Sequence, residues 1–388
     1  MKRIYLDYNA TAPVDKRVQE VLAVELRDGY GNASSLHEAG RLAAKKIREA
    51  RERLASLVKI KNPDELIFTS GGSESNNTVF WSIAANKEKS PGRDILISAI
   101  EHPCVLESAE RLKSFGFKIH KIPVDGQGLI DMEEYSKLLK LKPRLVSIMA
   151  ANNEIGTVQD IKKLSSMAHE AGAYFHSDCV QAVGKIPVDA GDWGLDYMSI
   201  SAHKIYGPKG VGALYVKKGV PFASLIAGGH QENGRRAGTY NSPGITAFGV
   251  AASIAEEELE SYRAHVLPLR NKLRDGLVNS VPNIRINGSQ DFFIPNTLSV
   301  SFPGAEGEAI LLHLDLLGIE ASTGSACASG SLEPSHVLVA TGLGPELAHG
   351  SIRFSLGKYT TEEEIDYVLK NLPPVIEKLR KFSTVGLV

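Results

Sequence analysis

Cysteine is scarce in this chain: three in 388 residues, Cys104, Cys179 and Cys327. An odd number at wide spacing describes no disulfide framework, and without a C-x-x-C pair there is no structural zinc signature. The 11 histidines include no H-E-x-x-H and no H-x-x-x-H pair, so no metal centre built by the protein is expected. Neither sign of charge is in excess: 44 Lys and Arg stand against 45 Asp and Glu, a formal net charge of -1. These charges are scattered, with no basic stripe for nucleic acid and no polybasic segment for a membrane surface. Long hydrophobic runs are also missing. The longest weakly polar one, residues 245–255, falls far short of the ~20 needed to cross a bilayer. The opening MKRIYLDYNATAP turns polar within a few residues, so neither leader nor anchor is expected, and the expected location is cytoplasmic.

What remains is an ordinary globular composition, 43% hydrophobic and 23% charged, in a chain long enough for about two domains. Up to Gly249, strand-like runs (LIFTS, ILIS, KIHKIPV, LVSIMA, YFHSD, DYMSIS, VGALYV) alternate with amphipathic helical stretches near 74–86, 103–115, 132–139 and 161–171. Two further helices precede them, near 15–26 and 38–58. Such alternation predicts α/β architecture, a largely parallel sheet covered on both faces. After Gly249 a long polar helix is expected over 250–280. It leads to a smaller α+β region with strands in NTLSVSF and SIRFSLG and helices near 308–317 and 362–382.

In such sheets ligands sit beyond the carboxyl ends of the strands, and the residues found there form a set. Lys204 lies in SAHKIYGPKG, between two core strands. Alone it could be a surface lysine in a turn. Held in a cleft, its pKa can fall until the free amine attacks a carbonyl and forms a Schiff base. GGSES, residues 71–75, places glycines and Ser73 at a helix start, an anion cradle or a plain cap. His102, in EHPCVL, could cover a flat ring or simply cap a helix. Asp178, after YFHS, could hold a proton on a heteroaromatic nitrogen, and Gln181 would reach nearby groups; an N-cap is the alternative for Asp178. Asn153 could donate an amide proton or make a turn. Together these are the parts of a pyridoxal phosphate site. Cys327, in the small-residue tract ASTGSACASGS, is poorly explained by packing and better by a need to travel. Cys179 reads as a packed thiol, and Cys104 as more structural than reactive. Arg353 could take a substrate carboxylate through two parallel bonds, or form a structural ion pair.

With these residues in place, the chain resembles the pyridoxal-phosphate-dependent cysteine desulfurases of the NifS/IscS type. The likeness spans nearly the whole length and rests on LDYNATAP, GNASSLH, FTSGGSESNN, EHPCVL, NNEIGTVQDI, SDCVQAVGK, SAHKIYGPKGVGALY, GGHQENGRRAGT, STGSACASGSLEPSHVL and SIRFSLG. The resemblance implies the aspartate-aminotransferase-like transferase fold (fold type I). Residues 14–256 would form the large domain. Residues 1–13 and 257–388 would form the small one, carrying a mobile cysteine loop at about 321–334. It also implies a homodimer. Lys204 would carry pyridoxal 5'-phosphate, Asp178 would pair with its ring nitrogen, and His102 would stack on the ring and move protons. Gln181 would bond the ring hydroxyl. Gly72, Ser73, Ser201 and His203 would hold the phosphate, with Thr239 arriving from the partner subunit. Asn153 and Arg353 would orient L-cysteine, and Cys327 would take the sulfur as a persulfide while alanine leaves. The acceptor would be an iron–sulfur scaffold or another sulfur-accepting protein, with no metal held beyond transient iron–sulfur ligation by Cys327. Ser73 stands where threonine is common, keeping the hydroxyl. An aminotransferase, a selenocysteine lyase or a non-catalytic protein on the same fold are the alternatives; a transaminase would not need Cys327.

Overall fold

The computed structural model describes residues 3–86, 92–324 and 334–382. After the short β1 (Ile4–Tyr5), seven strands build the main sheet. They are β2 (Leu66–Thr69), β3 (Asp94–Ser98), β4 (Lys118–Ile122), β5 (Leu145–Ser147), β6 (Tyr174–Asp178), β7 (Tyr197–Ser201) and β8 (Gly212–Val216), in the spatial order β2-β8-β7-β6-β5-β3-β4. Pairing is parallel from β4 through β7, while β8 runs antiparallel to both its neighbours. The reversal has a simple cause. The link from β7 to β8 holds only a short 3-10 turn at Ala202–Lys204, and a parallel return needs a crossover of a dozen residues or more. That short link carries Lys204.

Helices α1 (Lys16–Asp28), α2 (Glu38–Leu57), α3 (Gly72–Ala85), α4 (Pro103–Arg111), α5 (Met132–Leu139) and α6 (Ile161–Glu170) alternate with or precede the strands. Three of them, α1, α5 and α6, start at capping carboxylates: Asp15 accepts from Arg17 N–H, Asp131 from Glu133 and Glu134 N–H, and Asp160 from Lys163 N–H. One face of the sheet buries Leu54, Phe175 and Phe248; the other buries Phe80, Ile83, Val105 and Leu214.

The helix expected over 250–280 is in fact two, α7 (Ser242–Glu257) and α8 (Leu259–Ser280), meeting at Glu258. Asn241 caps α7 by accepting from Gly244 N–H at 3.1 Å, so the helix begins before Gly249 and runs through it. This first helix is apolar. A side chain at Gly249 would stand 2.6 Å from Ala50 Cβ on α2: the glycine marks where two buried helices touch, not where the pattern breaks.

Beyond α8 come β9 (Arg285–Asn287), β10 (Thr297–Ser301), α9 (Gly307–Leu316), β11 (Ile319–Glu320), α10 (His336–Ala340), α11 (Pro345–His349), β12 (Ser351–Ser355) and α12 (Glu362–Phe382). Strands β12-β10-β9 form an antiparallel sheet and β11 pairs with β1. Leu298, Phe302 and Phe354 pack there against Leu273 of α8 and Val368 of α12, and Leu6 joins them. The amino-terminal segment thus runs from the smaller sheet towards the end of β7: Asp7 bridges Ser355, and Ala12 N–H donates to the His203 carbonyl. Among the described residues no helix is long and apolar enough to cross a membrane.

Candidate active site

Because β8 is the one reversed strand of this sheet, the carboxyl ends of β2, β6 and β7 open on the same side. A cavity of about 270 Å³ lies there. The glycines at the end of β2 are required by geometry. Gly71 sits at φ +154, and a side chain on Gly212 would come within 2.7 Å of Gly71 Cα. A Cβ on Gly72 would approach Val180 Cγ2 to 2.9 Å. Helix α3 therefore starts with no side-chain cap, and the orphan N–H groups of its first turn are suited to an anion. The one carboxylate of that turn, Glu74, is engaged by Arg236 at 2.9 Å and by Ser70 N–H at 2.8 Å.

At the end of β6, Asp178 is 5% exposed. It accepts from Asn76 Nδ2 at 2.7 Å and from Val180 N–H at 3.0 Å. After β7, Lys204 Nζ donates to the carbonyls of Asn9 and Ala10 at 2.5 and 2.7 Å. Gln181 donates to the same Asn9 carbonyl at 3.0 Å.

His102 caps α4: its Nδ1 accepts from Cys104 N–H at 3.2 Å, which leaves the proton of the neutral ring on Nε2. Burial pushes this imidazole below its ordinary value; Asp178 opposes the shift, while Lys204 and His336 add to it. His203 is pushed down to about 4 by burial and by the charges of Lys204, Lys209 and Lys185. Both rings are neutral at pH 7. Behind them Glu101 is fully buried, its carboxyl raised well above the ordinary value by burial and by Asp178.

Gly72, Ser73, His102, Asn153, Asp178, Gln181, Ser201, His203, Lys204 and Arg353 all line this cavity. Arg353 is 3% exposed. It pairs with Asp7 at 2.6 Å and donates to the Asn153 carbonyl at 3.1 Å. The ion-pair alternative is thus realised, yet Arg353 Nε is buried without a partner among the described residues. Thr239 lies elsewhere in the chain, against a separate cavity with Ser70, Arg236 and Tyr240. Cys327 lies outside the described residues. Cys179 is buried, and burial above all pushes the Cys104 thiol up to about 12, so both are poor nucleophiles.

Sequence reasoning missed Asn9, Asn76 and Lys185. Cys104 lines the cavity with its Sγ 3.0 Å from His102 Nδ1. Asn76 was within reach: it lies four residues after Gly72, one helical turn along the same face. Asn9 was not, because its contacts come from residues far along the chain.

The match to a family model decides the kinship: residues 4–368 fit aminotransferase class V. The chain belongs to that family. A relative from Dictyoglomus turgidum, cysteine desulfurase IscS, is 48% identical over 384 residues, covering 99% of this chain and 97% of its own. Cysteine desulfurase NifS of Azotobacter vinelandii is 43% identical, covering 99% and 95%. The solved structure of a NifS-like protein superposes with a TM-score of 0.91 at 42% identity, covering 97% of this chain and all of its own. The expected fold class, a type I transferase with a mostly parallel sheet, holds.

The site residues fit the pyridoxal phosphate on which such enzymes depend. An uncapped helix start suits its phosphate, a carboxylate suits its ring nitrogen and an amine suits its aldehyde. Asn76 Oδ1, buried without a partner among the described residues, is a spare acceptor beside Asp178.

Proposed function

We propose that this chain is a cysteine desulfurase. It converts L-cysteine to L-alanine and passes the sulfur to Cys327, so that substrate plus thiol become alanine plus persulfide with atoms balanced. The observation that carries the reading is the convergence of Lys204, Asp178 and the bare start of α3 on one cavity that also receives Arg353. Relatives named as cysteine desulfurases along the full length support it.

Bound pyridoxal phosphate supplies an electron sink for loss of the Cα proton, which makes the Cβ–S bond cleavable. Lys204 holds the cofactor covalently. Asp178, oriented by the bonds it accepts from Asn76 Nδ2 and Val180 N–H, would retain a proton on the ring nitrogen. His102, neutral at pH 7, can accept a proton or release one near the reacting atoms. The N–H groups of Gly72 and Ser73, with Ser201 and His203, bind the phosphate. Arg353, with its unused Nε, and Asn153 orient the substrate carboxylate. Cys327 receives sulfur and delivers it to an acceptor protein, an iron–sulfur scaffold or another thiol carrier. Since Thr239 lies away from its own chain's cavity, we place it in the neighbouring site of a homodimer.

Two measurements test the reading. The protein purified with pyridoxal phosphate should absorb in the visible and bleach on borohydride reduction, with the label on Lys204. After L-cysteine is added, Cys327 should gain about 32 Da, the mass of one sulfur. A colourless protein, or a visible band with no gain on Cys327, refutes it.

A further inference from the structure

We infer that Lys185 is a positioning residue of this site, holding the Gln181 amide that lines the cavity. Lys185 is 4% exposed, and no carboxylate among the described residues pairs with it. Its Nζ donates to Gln181 Oε1 at 2.5 Å and to Asn9 Oδ1 at 3.0 Å. Burying an amine without a counter-ion is costly, so what it donates to is its justification. Burial, and then the charges of Lys204 and Arg353, push it well below the ordinary lysine value. Two amide oxygens face this amine.

The consequence runs through the Gln181 amide. An N–H donor faced by an amide selects its oxygen. Gln181 must therefore turn Nε2 away from Lys185, where it meets the Asn9 carbonyl at 3.0 Å. That carbonyl is also the acceptor for Lys204 Nζ at 2.5 Å. Asn9 Oδ1 accepts from Lys185 and also from Asn296 Nδ2 at 3.0 Å, while its Nδ2 faces the Asn153 carbonyl at 3.1 Å and Thr297 Oγ1 at 2.7 Å, so the Asn9 amide is oriented by more than Lys185. Without Lys185, Gln181 Oε1 loses its donor and only the Asn9 carbonyl still orients the amide. The buried amine thus secures the Gln181 side chain in the cavity wall from its second end.

The inference rests on the pyridoxal phosphate reading, and the experiment separates the two. Cofactor-free protein is titrated with pyridoxal phosphate, recording affinity and the absorption maximum of the bound form. The melting temperature of cofactor-free protein is measured in parallel. Lys185→Met keeps the length and removes both bonds; we expect about tenfold or greater loss of affinity, the scale of one or two buried hydrogen bonds. A displaced absorption maximum should accompany it. Lys185→Gln, whose amide can present either atom, should lose about three- to tenfold on the same grounds. In a Gln181→Met background, Lys185→Met should cost under about threefold more, because its effect passes through Gln181. If either Lys185 variant that folds matches the parent in affinity and absorption maximum, the inference is overturned. The same holds if the two losses are fully additive, or if only the melting temperature falls. If the parent itself takes up no pyridoxal phosphate, the underlying reading fails and this inference with it.

Discussion

Asn76 Nδ2 stands 2.7 Å from Asp178 Oδ2, a bond from the first turns of α3 to the end of β6. It fixes the orientation of the carboxylate to which the proposed function assigns the ring nitrogen. Hydrogen bonds to charged groups are worth about 1.5–3 kcal/mol. Asn76→Ala is therefore expected to weaken pyridoxal phosphate binding about tenfold or more, read by equilibrium titration. Unchanged affinity in a folded variant would remove Asn76 from the site.

Space at the α3 start is the second test. Gly72→Ala would place its Cβ 2.9 Å from Val180 Cγ2, so the cradle must shift and cofactor affinity should fall. The obstacle is a side-chain methyl, not backbone. Val180→Ala in the same chain should therefore restore much of the affinity. A double variant as weak as the single one would mean that the clash is not the cause.

Arg353 is held by Asp7 at 2.6 Å and by the Asn153 carbonyl at 3.1 Å. Arg353→Lys keeps the charge but loses the planar fork. The KM for L-cysteine should rise about tenfold or more, the scale of one charged hydrogen bond, while the cofactor absorption stays unchanged. Equal KM values would assign Arg353 to holding Asp7 alone.

Acid sensitivity follows from two histidines. Burial lowers His176 to about 3, and burial with neighbouring lysines lowers His203 to about 4. The unfolded chain takes up these protons first, near pH 6.5. Their contribution to stability is therefore complete above about pH 6.5 and is lost as pH falls towards 4. Each histidine adds a slope approaching 1.4 kcal/mol per pH unit, roughly, inside that window. Urea midpoints between about pH 7 and pH 4.5 should fall accordingly, and His176→Gln should flatten the fall. A midpoint independent of pH over this range would contradict the assignment.

Cys327→Ala should leave the visible cofactor band in place and abolish alanine formation from cysteine. Alanine released at the parent rate would rule out sulfur transfer through that thiol.

Much of the architecture was legible before any coordinates. Runs such as LIFT and DILIS are apolar because both faces of the main sheet are covered, and Asp15, Asp131 and Asp160 stand where helices start because each caps an orphan N–H. Lys204, Asp178 and Gly72 were readable because each occupies a strand end, the one place in an α/β sheet where polar side chains converge. Gly249 misled for the opposite reason: a glycine in sequence looks the same whether it ends a helix or lets Ala50 of another helix approach.

The order of residues determined the alternation of elements, the strand-end residues and the resemblance to a family, because these depend on local spacing. Only the tertiary structure decided that β8 reverses, that Asn9 receives Lys204, Gln181 and Lys185 together, and that Lys185 faces two oxygens and, among the described residues, no carboxylate. Those facts join residues 9, 181, 185 and 204. No local period connects them; they meet because folding brings segments distant in sequence into one buried polar cluster.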